Sequence, residues 1–307
     1  MIEKIPHITV CICTYRRPQH LAKLLDALDT AGCNSLYSYS VVVVDNDRER
    51  SALPVVDEAR ARELLQIEYR LVNEPNIAEA RNAAVAASRG EYIAFIDDDE
   101  LPGTGWLNRH LKNIEQYQAT ASLGPVIPYF DQTPPVWLIR GGFCDRMRFP
   151  TGTELLWYRT RTGNVLLDRR RVLELDPPFD ITFGSGGEDV VFFRKLAEKG
   201  GNFVWCDEAP VYELVPPERC RAVYFLRRAF LQGAISSRYH RGSFTPVDRL
   251  LIAAKSLAAV LFHTISLPVA VTRGFAGLLR TLIKGTHHFS RLLVAVGLYN
   301  LRKRTIN

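Results

Sequence analysis

Four acidic residues stand in a row at Asp97, Asp98, Asp99 and Glu100, directly after an apolar run from Tyr92 to Ile96. The run is rich in β-favouring residues, which predicts a buried strand that ends at the acids. Adjacent carboxylates repel one another, and burying them unpaired is costly. Since carboxylate oxygens are the ligands that hard cations prefer, the sequence predicts a site for Mn2+ or Mg2+. The alternative is a solvated acidic turn.

Two further acidic groups have the same potential for chemistry. Asp45 follows the β-branched run 41–44, and Glu188 and Asp189 follow a glycine-rich stretch. The apolar residues after Asp189 predict a helix, and acids in its first turn are favoured by the helix dipole. Glu188 and Asp189 are therefore either reactive carboxylates or simple capping residues.

The elements that position these acids alternate between strands and helices. The pattern predicts strands at 8–13, 41–44, 67–71, 92–96, 162–167, 203–206 and 211–213, and helices at 20–28, 57–65, 78–88 and 106–117, with another beginning near 188. Such alternation predicts an α/β fold with a mostly parallel, doubly wound sheet. Ligands of such sheets bind just outside the carboxyl ends of the strands, which is where the acids fall. The pattern assigns no structure to 124–148.

Two common nucleotide-binding domains are disfavoured because their glycine-rich motifs are missing from the sequence. The chain has no GxGxxG after the first predicted strand and no GxxxxGK[ST] at any position. A dinucleotide-binding domain or a P-loop domain would carry one of these glycine-rich motifs.

Charge divides the chain into two parts. The net charge is +6, but residues 216–307 carry 15 Lys and Arg against 2 acids. The six cysteines lack CxxC spacing, and the N-terminus lacks the layout of a signal peptide. We therefore expect a cytoplasmic catalytic part and a basic part with a different task.

The basic part combines its charges with apolar clusters. Residues 250–271 form an apolar stretch long enough to cross a bilayer, but Lys255, His263 and Pro268 make it a poor spanning helix. The pattern instead favours amphipathic helices on an anionic membrane surface. A dimerisation module or extra helices that cover the catalytic domain are the alternatives.

Five segments carry a family resemblance in this order and spacing: TVCICTYRRPQHLAKLL, VVVVDNDR, NIAEARNAAVAASRGEYIAFIDDDELPGTGWL, RTGNVLL and FGSGGEDVVFFRKLAEKGG. Together they resemble a bacterial family 2 glycosyltransferase of the GT-A fold. The resemblance covers residues 6–215, and is strongest to exopolysaccharide enzymes of the succinoglycan type. It implies a catalytic domain at 1–215, with a nucleotide-sugar half at about 1–105 and an acceptor half at about 106–215. Residues 216–307 then form the basic helical region.

The resemblance also implies roles for individual residues. Those that hold the nucleotide-sugar are Thr14, Tyr15, Arg16, Asp45, Arg81, Asp97 and Asp98. Asp45 corresponds to the acid that accepts a hydrogen bond from uracil N3, and Arg81 lies near the diphosphate. Asp97 to Asp99 match the DxD element, with Asp99 the first metal ligand and Asp97 contacting ribose or the metal.

For the reaction itself, the resemblance implies Asp189 as the general base of an inverting transfer. Glu188 either shares that role or binds the acceptor. An α-linked UDP-sugar would then give a β-linked product on a polysaccharide or lipid-linked acceptor.

Two departures from the family pattern stand out. Tyr212 and Glu213 occupy the place where many members have a metal-site His, so Glu213 is the candidate third metal ligand. The QxxRW signature of processive synthases is missing, which implies transfer of one sugar per encounter.

The remaining expectations concern partners. The enzyme is expected on the cytoplasmic face of the inner membrane as a peripheral protein, without a nucleic-acid partner, and a homo-oligomer is left open. Two alternatives compete with transfer: a nucleotidyltransferase that makes sugar nucleotides, and a non-enzymatic protein whose basic tail binds membranes or nucleic acid.

Overall fold

The structure is a computed structural model that describes residues 5–31, 36–63, 65–184, 186–236 and 245–299. Its main sheet is formed by β1 (His7–Thr14), β2 (Ser38–Asp45), β3 (Ile67–Leu71), β4 (Tyr92–Phe95), β6 (Ala121–Leu123), β8 (Val165–Asp168) and β9 (Phe203–Trp205). The strand order is β3-β2-β1-β4-β8-β6-β9. β1, β2, β3 and β4 run parallel, and β8 is antiparallel to both β4 and β6. The predicted mostly parallel α/β sheet is confirmed.

Helices cover both faces of this sheet. They are α1 (Pro18–Ala31), α2 (Leu53–Ala61), α3 (Ile77–Ala87), α4 (Trp106–Tyr117), α6 (Arg169–Leu173) and α7 (Glu188–Glu198). Alternate residues of β2 face opposite ways, so Val41 and Val43 join the core that includes Leu24 of α1. Val42 and Val44 join the second core, on the face covered by α3 and α7. A strand buried on both faces explains the continuous β-branched sequence of β2.

The strand register brings the predicted site to one edge of the sheet. β1 pairs with β2 so that Thr14 lies opposite Asp45. β1 also pairs with β4, where Cys11 lies opposite Phe95. The acids that follow β4 therefore emerge beside the ends of β1 and β2.

A small second sheet extends this edge. It consists of β5 (Glu100–Pro102), β7 (Val126–Tyr129) and β10 (Val211–Leu214), with β10 in the centre. β5 and β10 are antiparallel and place Glu100 opposite Glu213. The last of the four consecutive acids thus belongs to a strand, which the sequence pattern did not predict.

The chain divides into two compact units. The first contains residues up to 128 together with 146–214, and the second contains 129–145 together with the described residues after 214. The predicted catalytic domain at 1–215 differs from the first unit because residues 129–145 pack with the C-terminal helices. In the second unit, Trp137 stacks edge-on against Phe225 and Phe275.

The second unit is helical. Its helices are α5 (Val136–Arg140), α8 (Ala222–Ser236), α9 (Pro246–Ile265), α10 (Leu267–Thr272) and α11 (Gly274–Ala295). α11 crosses α8 at Gly233, where an added Cβ would lie 2.1 Å from Ser290 Oγ, so only glycine permits the close approach. Across the described parts of the chain, no helix combines the length and apolar character needed to cross a membrane.

Candidate active site

Arg81 is the most deeply buried cation at the edge of the sheet. It extends from α3, whose start is fixed by the Asn76 side chain accepting the backbone N–H groups of Ala78 and Glu79. Its Nη1 donates to Glu188 Oε1 in an ion pair, and its Nη2 lies 3.9 Å from Asp97 Oδ1. Burial would lower the pKa of Arg81, but the two carboxylates outweigh it and raise that pKa. The guanidinium therefore stays charged between two acids that the sequence separates widely.

Asp98 and Asp99 are held from the loop after β1. Thr14 Oγ1 donates to Asp98 Oδ2 at 2.8 Å. Arg17 Nη1 donates to Asp98 Oδ1 at 3.0 Å and to Asp99 Oδ2 at 3.1 Å. Burial raises the pKa of Asp98 to about 6, against the opposing attraction of Arg17. Arg17 was missed by the sequence analysis, since its neighbour Arg16 matches the family motif and only the fold shows which arginine reaches the acids.

Asp97 and Glu100 form a second acidic pair. The Asp97 backbone N–H donates to Glu100 Oε2 at 3.1 Å, and desolvation raises the pKa of both carboxyl groups. The other oxygen, Glu100 Oε1, is buried and has no hydrogen-bond partner among the described residues. A Cβ added to Gly163 would lie 3.0 Å from Asp97 Oδ2 and 3.2 Å from Glu100 Oε1, so this glycine lets the chain pass close to the acids.

The acids after β4 suit a hard divalent cation that arrives with a ligand. Within the described ranges, no group of three or more His, Cys, Asp or Glu side chains is arranged to hold a metal. Mg2+, however, is usually bound by one or two carboxylates together with substrate phosphates. The orphaned Glu100 Oε1 shows that a buried oxygen beside these acids lacks a hydrogen-bond donor among the described residues. The residues therefore fit a metal, with Asp97 and Asp99 as the carboxylates that would hold it.

Asp45 is fully buried and organises the loop after β2. Its Oδ1 accepts the backbone N–H of Asp47 at 3.1 Å, and its Oδ2 accepts the N–H of Ala52 at 2.8 Å and the hydroxyl of Tyr69 at 3.1 Å. Burial raises the pKa of Asp45 against these hydrogen bonds. The predicted contact with uracil stays a prediction. It would share a carboxylate that already accepts three hydrogen bonds.

Tyr15 and Arg16 lie in the loop between β1 and α1. Arg16 has a φ of +53°, an unusual conformation for a residue other than glycine. Its guanidinium lies 5.1 Å from the centre of the Tyr15 ring, and its Nε donates to Asp47 Oδ1 at 3.3 Å. The loop thus presents an aromatic ring and a cation near the end of β2, where Asp45 lies.

Glu188 and Asp189 begin α7 and differ in their surroundings. Glu188 is 4% exposed and its Oε1 is committed to Arg81, whereas its Oε2 has no partner in the described part of the chain. Asp189 is half-buried, and its Oδ1 accepts the backbone N–H of Val190 at 2.8 Å. Asp189 is the more accessible carboxylate of the two.

Two arginines that the sequence analysis did not single out flank the acids. Arg146 forms an ion pair with Glu213, the candidate third metal ligand, whose metal role stays a prediction. Burial and the charge of Arg146 lower the pKa of Arg161 to about 10. Arg161 Nη2 and Thr162 Oγ1 are buried without a hydrogen-bond partner among the described residues. Both belong to the RTGN segment, whose motif match gave no reason to assign them a task.

An α/β sheet with acids and arginines at the carboxyl ends of its strands suits an enzyme that binds an anionic substrate together with a divalent cation. The model of glycosyl transferase family 2 matches residues 9–172. The chain is 35% identical over 236 residues to the succinoglycan biosynthesis protein ExoM of Rhizobium meliloti (strain 1021), covering 76% of this chain and 74% of that protein. The chain therefore belongs to glycosyltransferase family 2, and it is a glycosyltransferase. Family membership decides against the nucleotidyltransferase and the non-enzymatic alternatives.

Solved structures agree on the fold. The structure of S. aureus TarS 1-349 in complex with UDP superimposes with a TM-score of 0.56 at 17% identity, covering 98% of this chain and 94% of that one. The same fragment with UDP-GlcNAc gives a TM-score of 0.56 at 15% identity, covering 96% and 93%. At this identity the similarity establishes the GT-A fold alone.

Proposed function

We propose that this enzyme transfers one sugar at a time from a UDP-sugar to a hydroxyl group of a polysaccharide or lipid-linked oligosaccharide, with inversion at the anomeric carbon. The observation that carries the proposal is the position of Arg81. It pairs with Glu188 at the start of α7 and lies 3.9 Å from Asp97 after β4. One buried cation thus adjoins both the acids suited to the donor and the acid pair suited to the acceptor.

The nucleotide would bind where the ends of β1 and β2 meet. Tyr15 offers a ring for stacking, and Asp45 offers a buried acceptor for an N–H of the base. Thr14, which lies opposite Asp45 in the sheet, is fixed there by its hydrogen bond to Asp98. Arg16 and Arg17 add positive charge for the phosphates.

The leaving group is a nucleoside diphosphate, and negative charge develops on it as the glycosidic bond breaks. Arg81 is placed to stabilise that charge, since its pKa is raised and it is shielded from water. A divalent cation held by Asp97 and Asp99 would supply further charge neutralisation when bound.

The acceptor hydroxyl needs a base on the face opposite the leaving group. Asp189 takes this role in the proposal, because Glu188 is committed to Arg81 and Asp189 is partly exposed. Asp189 accepts the hydroxyl proton as the oxygen bonds to the anomeric carbon and the bond to the diphosphate breaks. Glu188 positions Arg81.

The similarity to a succinoglycan biosynthesis protein supports exopolysaccharide synthesis as the process. An acceptor held at the cytoplasmic face of the inner membrane would place the enzyme there. Residues 245–299 hold six Lys and Arg against one acid, which supports peripheral attachment to an anionic membrane surface.

Calorimetry of UDP binding tests the proposal directly. Wild type and Asp99→Ala are titrated with UDP, with and without Mn2+, and Asp57→Ala, at an exposed position of α2, is the control for loss of one aspartate charge. We expect tight binding that requires both Mn2+ and Asp99 and that Asp57→Ala leaves intact. Equal binding by Asp99→Ala would remove Asp99 from the metal site. No UDP binding with any metal would overturn the proposed donor, and GDP would be titrated next.

A further inference from the structure

The helical unit contains a groove that the transfer reaction does not use. It has a volume of about 940 Å³ and lies among α5, α9, α10 and α11. Its size is in the range of pockets that hold a whole small ligand. The groove lies entirely within the second unit of the chain.

One part of the lining is strongly basic. Arg140, Arg273, Arg280 and Lys284 line the groove and are all exposed. None of the four forms a salt bridge with an acidic side chain in the described residues. Arg280 is partly fixed, since its Nη2 donates to the carbonyl oxygen of Gly141. The other three are available to an anionic ligand.

The rest of the lining is apolar and unusually exposed. Phe262 is 66% exposed, Val269 is 55% exposed and Phe275 is 51% exposed. Trp137 also lines the groove, with its ring centre 5.4 Å from that of Phe275. Contiguous apolar surface of this kind marks a site that another apolar body covers.

Acidic residues are nearly missing from the C-terminal helices that line the groove. Residues 245–299 contain one acid, Asp248, whose carboxylate accepts the Thr245 backbone N–H in a capping box at the start of α9. None of the residues that line the groove is acidic, so an anion in the groove would meet basic side chains in its wall. A purely anionic ligand, such as a nucleic-acid backbone, would leave the apolar side uncovered.

We propose that this groove binds one anionic phospholipid of the membrane. The lipid phosphate would lie on Arg140, Arg273 and Lys284, and an acyl chain would lie along Phe262, Val269 and Phe275. The proposal rests on the membrane attachment stated above and does not depend on the transfer reaction. In place of a diffuse attraction between basic helices and a charged surface, the protein would then have a defined site for one lipid.

Vesicle binding by the whole chain distinguishes a defined lipid site in the groove from a diffuse attraction to a charged surface. The probes are vesicles of phosphatidylcholine with and without phosphatidylglycerol, measured by co-sedimentation. The groove variant is Arg273→Gln with Lys284→Gln. The control is Arg249→Gln with Lys255→Gln, which removes the same charge from exposed positions of α9 that do not line the groove. Circular dichroism checks that both variants are folded.

We expect wild type to bind only the vesicles with phosphatidylglycerol. The control should lose up to about thirtyfold in affinity, the diffuse attraction of two basic residues at a membrane surface, and the groove variant should lose about tenfold more, as loss of one charge-assisted hydrogen bond to the lipid phosphate would cause. Equal losses in both variants would overturn the groove as a site and leave a diffuse attraction. No binding by wild type would overturn both the groove and the membrane attachment. UDP calorimetry on the same preparation reports on the transferase separately.

A second measurement does not depend on charge variants. Trp137 is one of four tryptophans, and it is the one that lines the groove. Phosphatidylglycerol with brominated acyl chains should quench part of the fluorescence of wild type, and Trp137→Phe should abolish that part. Quenching that persists in Trp137→Phe, or no quenching in wild type, would place the acyl chain elsewhere and overturn the proposal.

Discussion

Arg81 on α3 and Glu188 at the first position of α7 form a buried ion pair across 107 residues of sequence. The side chains are 10% and 5% exposed, so neither charge has much access to water. Each partner therefore depends on the other to remain ionised in the folded protein. The pair joins the helix that follows β3 to the helix that carries the candidate base.

Arg81→Ala should destabilise the protein by about 3–5 kcal/mol, because it leaves the Glu188 carboxylate buried without its partner. Urea denaturation measures the effect. Arg89→Ala, at a side chain that is 81% exposed, is the control and should change the free energy of unfolding by less than about 0.5 kcal/mol. A loss below about 1 kcal/mol for Arg81→Ala would show that water or another cation compensates Glu188.

Asp189→Asn should lower kcat by about 10² to 10⁴, since it removes the proposed base while keeping the size of the side chain. UDP affinity and stability should stay at the wild-type level. Glu188→Gln should instead reduce stability and UDP affinity, because it removes the partner of Arg81. Steady-state kinetics measure kcat, and calorimetry measures UDP affinity, in both variants. Full kcat in Asp189→Asn together with a stable but inactive Glu188→Gln would move the base to Glu188.

The sequence predicted the elements well where a local pattern determines them. β3 at Ile67–Leu71 and α4 at Trp106–Tyr117 have the predicted bounds, because each is a self-contained periodic segment between clear breaks. α2 begins four residues before its predicted start, at Leu53 followed by Pro54, where a proline is tolerated in the first turn. The pattern does not predict β7 or α5, because 124–148 is rich in proline and aromatic residues and has no clear period.

The residues of the site were predictable only where a motif carries them. Asp97, Asp99 and Asp189 stand out in the sequence, but Arg17, Tyr69 and Arg161 do not. The contacts of Arg17 with Asp98 and of Tyr69 with Asp45, and the position of Arg161 near Glu100, arise from strand register and loop closure. A single arginine or tyrosine in a sequence gives no signal of the tertiary partner it will meet.

Arg17→Gln should raise the affinity for Mn2+ in the absence of nucleotide on the order of fivefold, as loss of a partly exposed ion pair would allow. The reason is that Arg17 now donates to both Asp98 and Asp99 and competes with a cation for them. Calorimetric titration with Mn2+ measures the affinity, and Arg48→Gln, which removes a surface charge paired with Glu49, is the control. Unchanged or weaker Mn2+ binding would mean that Arg17 does not compete with the metal.

His110 should make the protein less stable as the pH falls. It is fully buried, and its Nε2–H donates to Asn164 Oδ1 at 2.9 Å while its Nδ1 accepts the Ser122 hydroxyl at 2.9 Å. Asn164 is oriented by its own donation to the carbonyl oxygens of Pro125 and Ala209. Burial lowers the pKa of His110 to about 4, below the ordinary value of 6.5 that applies in the unfolded chain.

Between these two pKa values the unfolded chain binds a proton that the folded protein does not, so unfolding is favoured as pH drops. The part of the free energy of unfolding that depends on neutral His110 is fully present above pH 6.5. It is lost progressively down to pH 4, by up to about 3 kcal/mol. Denaturation of wild type and His110→Gln across this range measures it, since the difference between the two isolates the histidine. A difference that does not change with pH would contradict the prediction.

Thr162→Val tests whether the orphaned polar atoms of the RTGN segment serve the donor sugar. Thr162 is 1% exposed, and its Oγ1 has no hydrogen-bond partner among the residues the structure describes. Sugar hydroxyls both donate and accept, which suits a region that also holds an unpaired donor on Arg161 and an unpaired acceptor on Glu100. If Thr162 binds such a hydroxyl, Thr162→Val should raise KM for the UDP-sugar about tenfold, the value of one hydrogen bond.

UDP affinity should not change in Thr162→Val, because UDP lacks the donor sugar. The stability of the variant should be equal or slightly higher, because valine removes an unsatisfied hydroxyl. Thr160→Val is the matched control. Its Oγ1 donates to the Trp157 carbonyl oxygen, so its loss should cost about 1 kcal/mol of stability and leave KM unchanged. Wild-type kinetics in Thr162→Val would assign the hydroxyl no part in donor recognition, and Arg161 and the acids after β4 would then be the next residues to test.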